Sequence, residues 1–221
     1  MDGEGRGAAP DRPRDAPLRP RLARLRRPRR LIPTLTTRTV NAPRLSDGVI
    51  SLDQHTLADA DAHLAGEDDE QGRRFGWYPS RSSPERVRKA IEKWQADWAA
   101  AGLTRTLAIR DLGTGVLAGG CQVRLRADQI AEMSYWVFPA HRGKGYATRA
   151  IVLTSDWVFG ELGIERLELY VEPDNEASRG AARRAGFTEE GLLRAREQIG
   201  DERRDMVLYS RLPTDPPPMR S

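Results

Sequence analysis

The spacing of apolar positions along this chain changes several times, and each change marks an element. Val49, Ile50 and Leu52 make Gly48–Leu52 a first strand, and Leu57, Ala60 and Leu64 recur at helical spacing across Thr56–Gly66. Glu67–Glu70 reads as an acidic loop leading into Phe75-Gly76-Trp77-Tyr78-Pro79. Ser83-Pro84-Glu85 is a helix start, with a serine cap, a proline at the first helical position and an acid in the first turn. That helix runs through Val87, Ile91, Trp94 and Trp98 to Gly102. Thr106–Arg110 and Val116–Leu125 predict a hairpin about Asp111–Gly115, and Ala131–Phe138 a further strand. Gly145–Leu162 places Ala147, Ile151, Thr154, Val158 and Leu162 on one helical stripe. Arg166–Val171 alternates as a strand, and Asn175–Ala185 is a short helix ended by Gly186. Leu192–Ile199 and Met206–Leu212 form a closing antiparallel pair. The order is strand, two helices, three strands, helix, strand, helix, two strands, a mixed α/β domain over residues 41–213 with no internal repeat.

Composition changes that picture at the ends. No apolar run approaches the about 18–20 residues that span a bilayer, so a membrane-spanning protein is not expected. The chain carries 36 bases and 32 acids in 221 residues, with hydrophobic residues at 38%, enough for one core. Its pI near 9.6 invites a nucleic-acid reading. Residues 1–30, however, hold ten arginines against Asp2, Glu4, Asp11 and Asp15, a net +6, which leaves 26 bases against 28 acids in the rest, a net −2. The basic character belongs to the tail, and nucleic acid is expected only weakly, through that tail. Five prolines within residues 1–30 and few large apolar residues predict disorder over residues 1–40, and Pro216-Pro217-Pro218 predicts a second loose segment over 214–221. The tail also reads as a solvated extension or a start codon placed too early, and it lacks the apolar stretch of a secretory signal. The single cysteine, Cys121, excludes an internal disulfide framework and a multi-cysteine zinc site, and points to the cytoplasm. Mid-strand and without a visible histidine partner, Cys121 reads as a small core residue.

The chemistry concentrates in Tyr135-Trp136-Val137-Phe138-Pro139-Ala140-His141-Arg142-Gly143-Lys144-Gly145-Tyr146-Ala147, where a strand enters a basic glycine turn and a helix follows at once. The first turn of that helix leaves amides unpaired, the helix dipole adds positive potential, and Gly143 and Gly145 clear the approach. Such a turn suits a pyrophosphate. It is neither a Walker loop nor a dinucleotide fingerprint, because the required lysine-serine/threonine pair and third glycine are missing. No metal site is expected.

Arg142-x-x-Gly145-x-Ala147 resembles the acyl-CoA pyrophosphate loop of the GNAT superfamily of N-acetyltransferases. Further resemblances are Val171-Glu172-Pro173-Asp174-Asn175-Glu176-Ala177-Ser178, then Ala185-Gly186-Phe187 and Glu190-Gly191, and the strand Ala131–Trp136. With the closing Asp205–Ser210, they are similar to the RimJ/RimL-type branch, whose members acetylate ribosomal-protein N-termini and other amines. The resemblance covers about residues 41–213. It implies the GNAT acyl-CoA N-acyltransferase fold: a central, mostly antiparallel twisted sheet, splayed between its fourth and fifth strands and flanked by helices.

The resemblance also implies roles. Acetyl-CoA would bind with its pantetheine arm along the backbone of Trp136, Val137 and Phe138. Its diphosphate would lie on the amides of Arg142, Gly143, Lys144, Gly145, Tyr146 and Ala147. A backbone N–H near Val137 would polarise the acetyl carbonyl. Glu132 is the implied base for direct attack by an amine, Ser178 the implied acid for the departing thiolate, and Asn175 an orienting or cofactor-contacting residue. Plainer readings stand beside these: a solvated or substrate-contacting charge for Glu132, a first-turn serine for Ser178 and a helix cap for Asn175. Trp77 is expected to wall the acceptor site, while Trp94, Trp98 and Trp157 read as core. The acceptor is a protein N-terminal α-amine or a small amine such as an antibiotic, a polyamine or an amino acid; a homodimer and a non-catalytic CoA-binding module are further possibilities.

Overall fold

Eight strands form one sheet in the order β1-β2-β3-β4-β5-β6-β8-β7. The structure, a computed structural model, describes residues 42–76 and 82–218. The strands are β1 (Leu45–Ser46), β2 (Ile50–Gln54), β3 (Thr104–Asp111), β4 (Leu117–Leu125), β5 (Ile130–Val137), β6 (Arg166–Val171), β7 (Thr188–Ile199) and β8 (Glu202–Arg211). The helices are α1 (Ala60–Gly66), α2 (Asp69–Phe75), α3 (Pro84–Ala99), α4 (Tyr146–Leu162) and α5 (Glu176–Arg184). Because the two-residue β1 precedes the first predicted strand, the fourth and fifth predicted strands are β5 and β6.

Every strand pair is antiparallel except β5–β6. That parallel pairing joins Ile130–Met133 to Arg166–Leu169 and then stops, although β5 continues to Val137 and β6 to Val171. The strands part at this point, as the fold class required. Crossing from β5 to a parallel neighbour needs a long connection, and α4 supplies it.

Alternation along each strand divides two apolar layers. Leu107 and Ile109 enter the main core with Val123, Met133, Leu167, Leu169 and the α4 residues Ile151, Trp157 and Val158. Ala108, one position out of phase, enters a small cluster with Leu117 and Phe138 on the other face. There α1 and α3 contribute Ala60, Val87 and Ile91. Trp98 and Trp157 are buried with ring centroids 5.9 Å apart, as core residues. Among the described residues, no helix is long and apolar enough to cross a membrane.

Four expectations are corrected. The acidic loop holds a helix: Asp68 accepts from the Gln71 amide at 2.8 Å, acids fill the first turn of α2, arginines the last, and Gly76 closes it in the left-handed conformation. Caps and dipole pairing rather than an apolar stripe make this seven-residue helix, so periodicity passed over it. Strand β7 begins at Thr188, because its polar start still pairs with β8 on the far side of a bulge at Glu189/Gly191. Trp94 is only partly buried and faces a cavity. The C-terminal segment is placed beside the domain as far as Pro218: Leu212 N–H donates to Asp215 at 2.9 Å, and a Cβ added at Gly186 would meet Pro218 at 3.6 Å and Pro216 at 3.7 Å. The predicted tail over 1–40 and the predicted substrate wall Trp77 lie outside the described residues.

Candidate active site

Two cavities of about 560 Å³ each open on opposite sides of the β5–β6 splay. They share Gln71, Arg74, Phe75, Met133, Ser134, Trp136, Tyr170 and Met206 as common wall, so the parted strands and α2 form a throat between them.

The first cavity is lined by the glycine turn, β5, β6 and the start of α5. Gly143 and Gly145 adopt φ of 76° and 78°, and a Cβ at either would meet nothing within 4 Å. Their requirement is therefore the left-handed backbone, not space. Among the described residues, the amides of Gly143, Lys144 and Gly145 donate to no carbonyl or side chain. Tyr146 and Ala147 begin α4, whose first-turn amides have no helical partner. The Arg142 amide is different: it donates to the Pro139 carbonyl at 3.2 Å, so the unpaired run starts at Gly143.

The Arg142 side chain turns back from the loop. Its Nε is 3.0 Å from the Val137 carbonyl, its Nη1 3.0 Å from Glu70 and its Nη2 2.8 Å from Asp68. It clamps α2 to the end of β5. Lys144 leaves its Nζ 6.0 Å from the Tyr146 ring centroid, and the Tyr146 hydroxyl donates to Asp111 at 2.5 Å.

Strand phase decides which backbone groups reach the splay. The Phe138 N–H donates to the Ala118 carbonyl at 2.9 Å, making Ala118–Phe138 a hydrogen-bonded pair. By the alternation of an antiparallel ladder, Trp136 also bonds toward β4, while Tyr135 and Val137 turn their backbone groups toward the splay. The expectation that Trp136 and Phe138 would offer theirs is corrected: Val137 and Tyr135 do.

Asn175 caps α5, its Oδ1 accepting from the Ser178 amide at 3.1 Å. The Ser178 hydroxyl lies 2.7 Å from the Tyr135 hydroxyl. Burial pushes the Tyr135 phenol above its ordinary range, opposed by the bond to Ser178 and by Arg184. Sequence reading passed over Tyr135, although its place two residues before Val137 gives it the same strand parity.

The second cavity is walled by α1, α2, α3, β4, β5 and the far end of β7. Trp136 turns its ring this way, 5.9 Å from Trp94 and 6.0 Å from His63. Gly120 makes room, since a Cβ there would lie 2.3 Å from Trp136 Cζ2. Behind them His55 is fully buried, and neither of its ring nitrogens has a sound hydrogen bond among the described residues, only a loose approach to the Leu107 backbone. Burial pushes His55 down to about 3 and His63 to about 4, so both are neutral near pH 7. Glu67, 3.5 Å from His63, is pushed upward by burial, against the pull of Ser82 and Arg86.

Glu132 lines this second cavity, held by Arg124 at 3.3 Å and by Arg126. Glu197 joins it on the wall. Gln71, in the throat, is buried, and its Oε1 has no partner among the described residues. Cys121 is buried beside Thr154 at 3.4 Å, with its thiol pushed up to about 12, which leaves it inert. Among the described residues, no group of three or more His, Cys, Asp or Glu could hold a metal.

Comparison with known proteins adds the family. The acetyltransferase (GNAT) domain model matches residues 50–188. The chain is 38% identical over 78 residues to "Probable N-acetyltransferase YjcK" of Bacillus subtilis (strain 168), covering 35% of this chain and 43% of that protein. It is 40% identical over 63 residues to spermidine N(1)-acetyltransferase of Escherichia coli (strain K12), covering 28% and 34%. The matches thus span less than half the length of these relatives. Mycobacterium smegmatis RimJ, solved in complex with CoA-disulfide, shares the fold with a TM-score of 0.67 at 23% identity, over 80% of this chain and 89% of RimJ.

Proposed function

The chain belongs to the acetyltransferase (GNAT) domain family, and from that premise we propose that it transfers an acetyl group from acetyl-CoA to a primary amine. The observation that carries this reading is the throat: a cavity with an unpaired amide run on one side meets a cavity with carboxylates on the other, at the point where β5 and β6 part.

The glycine turn holds the CoA diphosphate through the amides from Gly143 to Ala147. Hydrogen bonds to a charged group contribute about 1.5–3 kcal/mol each. The pantetheine arm runs into the splay and pairs with the free backbone edge of β5. The Val137 N–H donates to the acetyl oxygen as it becomes an oxyanion. The amine enters through the second cavity and attacks the thioester directly.

Glu132 takes the amine's proton, directly or through a water. Arg124 and Arg126 occupy one lone pair on each carboxylate oxygen, which leaves one on each for the proton. Ser178 protonates the departing thiolate, and Asn175 holds α5 at the angle that aims it.

The preferred acceptor is a protein N-terminal α-amine, which a RimJ-like fold favours. Near pH 7 about a tenth of an α-amine is neutral, against well under a thousandth of a lysine amine, so the α-amine needs less help from a base. The competing acceptor is a polyamine, favoured by the spermidine-acetylating relative and by Glu67, Glu132 and Glu197 on the acceptor wall.

Thiol release from acetyl-CoA, measured in parallel against ribosomal-protein N-terminal peptides, spermidine and other small amines, tests both. Turnover on the peptides alone supports the first acceptor, and turnover on spermidine replaces it with the second. Tight CoA binding without turnover on any amine overturns catalysis. In the active assay Glu132→Gln should lower kcat/KM about 100-fold or more with the acetyl-CoA Kd unchanged. Full activity across pH would remove Glu132 as the base.

A further inference from the structure

Ser178 alone is a weak acid: a serine hydroxyl gives up its proton far less readily than a phenol. The structure gives it a phenol. The Tyr135 and Ser178 hydroxyls are 2.7 Å apart, both residues line the CoA-side cavity, and among the described residues the Ser178 hydroxyl has no other hydrogen-bond partner. Among the described residues, the Tyr135 hydroxyl's only other approach is a marginal 3.5 Å to the Ser178 carbonyl.

The two side chains are fixed independently. Tyr135 projects from β5 at the splay, while Ser178 is set by the Asn175 cap of α5. Arg184, on the last turn of α5, lines the same cavity.

We propose that Tyr135 acts through Ser178 as a two-hydroxyl relay, in which Ser178 protonates the CoA sulfur and Tyr135 replaces the proton on Ser178. The proposal rests on the N-acetyltransferase reading and extends its leaving-group step. As the tetrahedral adduct collapses, the C–S bond breaks and its electron pair goes to sulfur. The Ser178 Oγ–H bond breaks as an S–H bond forms, and the Tyr135 O–H proton passes to Ser178 Oγ. The phenolate left on Tyr135 carries the charge toward the Arg184 guanidinium and takes a proton from water when CoA leaves. The amine's own surplus proton departs separately, so the sum is amine plus thioester to amide plus thiol. Burial keeps the phenol protonated near neutral pH, so the proton is present when the step needs it.

The relay can be read without knowing the acceptor. A thiolate that accepts a hydrogen bond from Ser178 forms at lower pH than a free one, and its ultraviolet absorbance near 240 nm reports the titration of CoA bound to the full-length protein. Bound CoA should ionise below free CoA. Tyr135→Phe should raise that midpoint by about one pH unit, the size of one charged hydrogen bond, with the CoA Kd little changed. Ser178→Ala should raise it at least as far, and adding Tyr135→Phe to Ser178→Ala should do nothing more. A Tyr135→Phe protein that titrates like the parent, or a double variant whose two effects add, overturns the relay. CoA that binds but ionises like free CoA overturns the relay alone. Failure to bind CoA at all overturns the N-acetyltransferase reading and the relay with it.

Discussion

The two cavities have the same volume and opposite construction. The cavity proposed for CoA has its unpaired donors in one stretch, residues 143–147, and they are backbone amides. The cavity proposed for the acceptor is walled by side chains gathered from residues as far apart as His63 and Ile199. Backbone recognition suits a part of the substrate that never changes, because amides have few alternatives once the turn is fixed. Side-chain recognition suits a part that differs among relatives, because each wall residue can change alone. Substitutions should therefore act differently on the two sides, through backbone conformation on one and through side-chain packing on the other.

The largest effect is expected at Gly145. The cavity has room for a side chain there, yet φ of 78° is strained for a β-branched residue. Gly145→Val should move the turn out of its left-handed conformation and misalign two or more amides at once. At about 1.5–3 kcal/mol for each charged hydrogen bond, the acetyl-CoA Kd should rise about 100-fold or more, read by calorimetry. A variant that binds acetyl-CoA like the parent would show that the turn is not a backbone device, and the contrast between the cavities would fail.

The same contrast explains how far the sequence could be read. The glycine turn was legible because its residues are contiguous: Arg142, Gly143 and Gly145 carry their spacing in the sequence. Even there, phase was not. Whether Trp136 or Val137 turns its backbone to the splay depends on the pairing of Ala118 with Phe138, which no local pattern encodes. The Arg142 amide was named for the diphosphate, but the Pro139 carbonyl takes it, and the side chain is drawn back by Asp68 and Glu70, the cap and first turn of a helix that apolar periodicity cannot detect. The acceptor side was almost illegible. Gln71, His63 and Glu197 share no motif, and only the closure of α1, α2 and β7 over β5 brings them to one wall.

A smaller and one-sided effect is expected at Gly120. Its missing Cβ is where the Trp136 indole lies, 2.3 Å from Cζ2. Gly120→Ala should displace that ring into the acceptor cavity, since overpacking of this kind costs about 1–3 kcal/mol. The acceptor KM should rise about tenfold while the acetyl-CoA Kd stays within about twofold, an asymmetry opposite to that at Gly145. Equal losses on both substrates would mean that the shared throat, rather than one wall, had moved.

The smallest effect at neutral pH should appear at His55, and it sharpens the comparison because only the acceptor side rests on buried histidines. His55 and His63 are held uncharged, pushed down to about 3 and about 4 by burial, while an unfolded histidine titrates near 6.5. The charges facing them do not reverse this: Asp59 pulls both upward, and His63 and Arg110 push His55 down. With folded values lowered, their stabilisation is complete above pH about 6.5 and declines as the pH falls toward 4, since the unfolded chain then binds protons that the folded chain refuses. At pH 5 this amounts to about 2 kcal/mol per histidine. Leucine fits a site of similar volume and removes two unpartnered nitrogens, so His55→Leu should leave Tm near its parental value at pH 7.5. Between pH 7.5 and 5 its Tm should fall about 4–8 °C less than the parent's. Parallel Tm–pH curves for the two proteins would show that His55 is charged in the folded state or exposed to water, and the neutral backing assigned to the acceptor wall would be wrong.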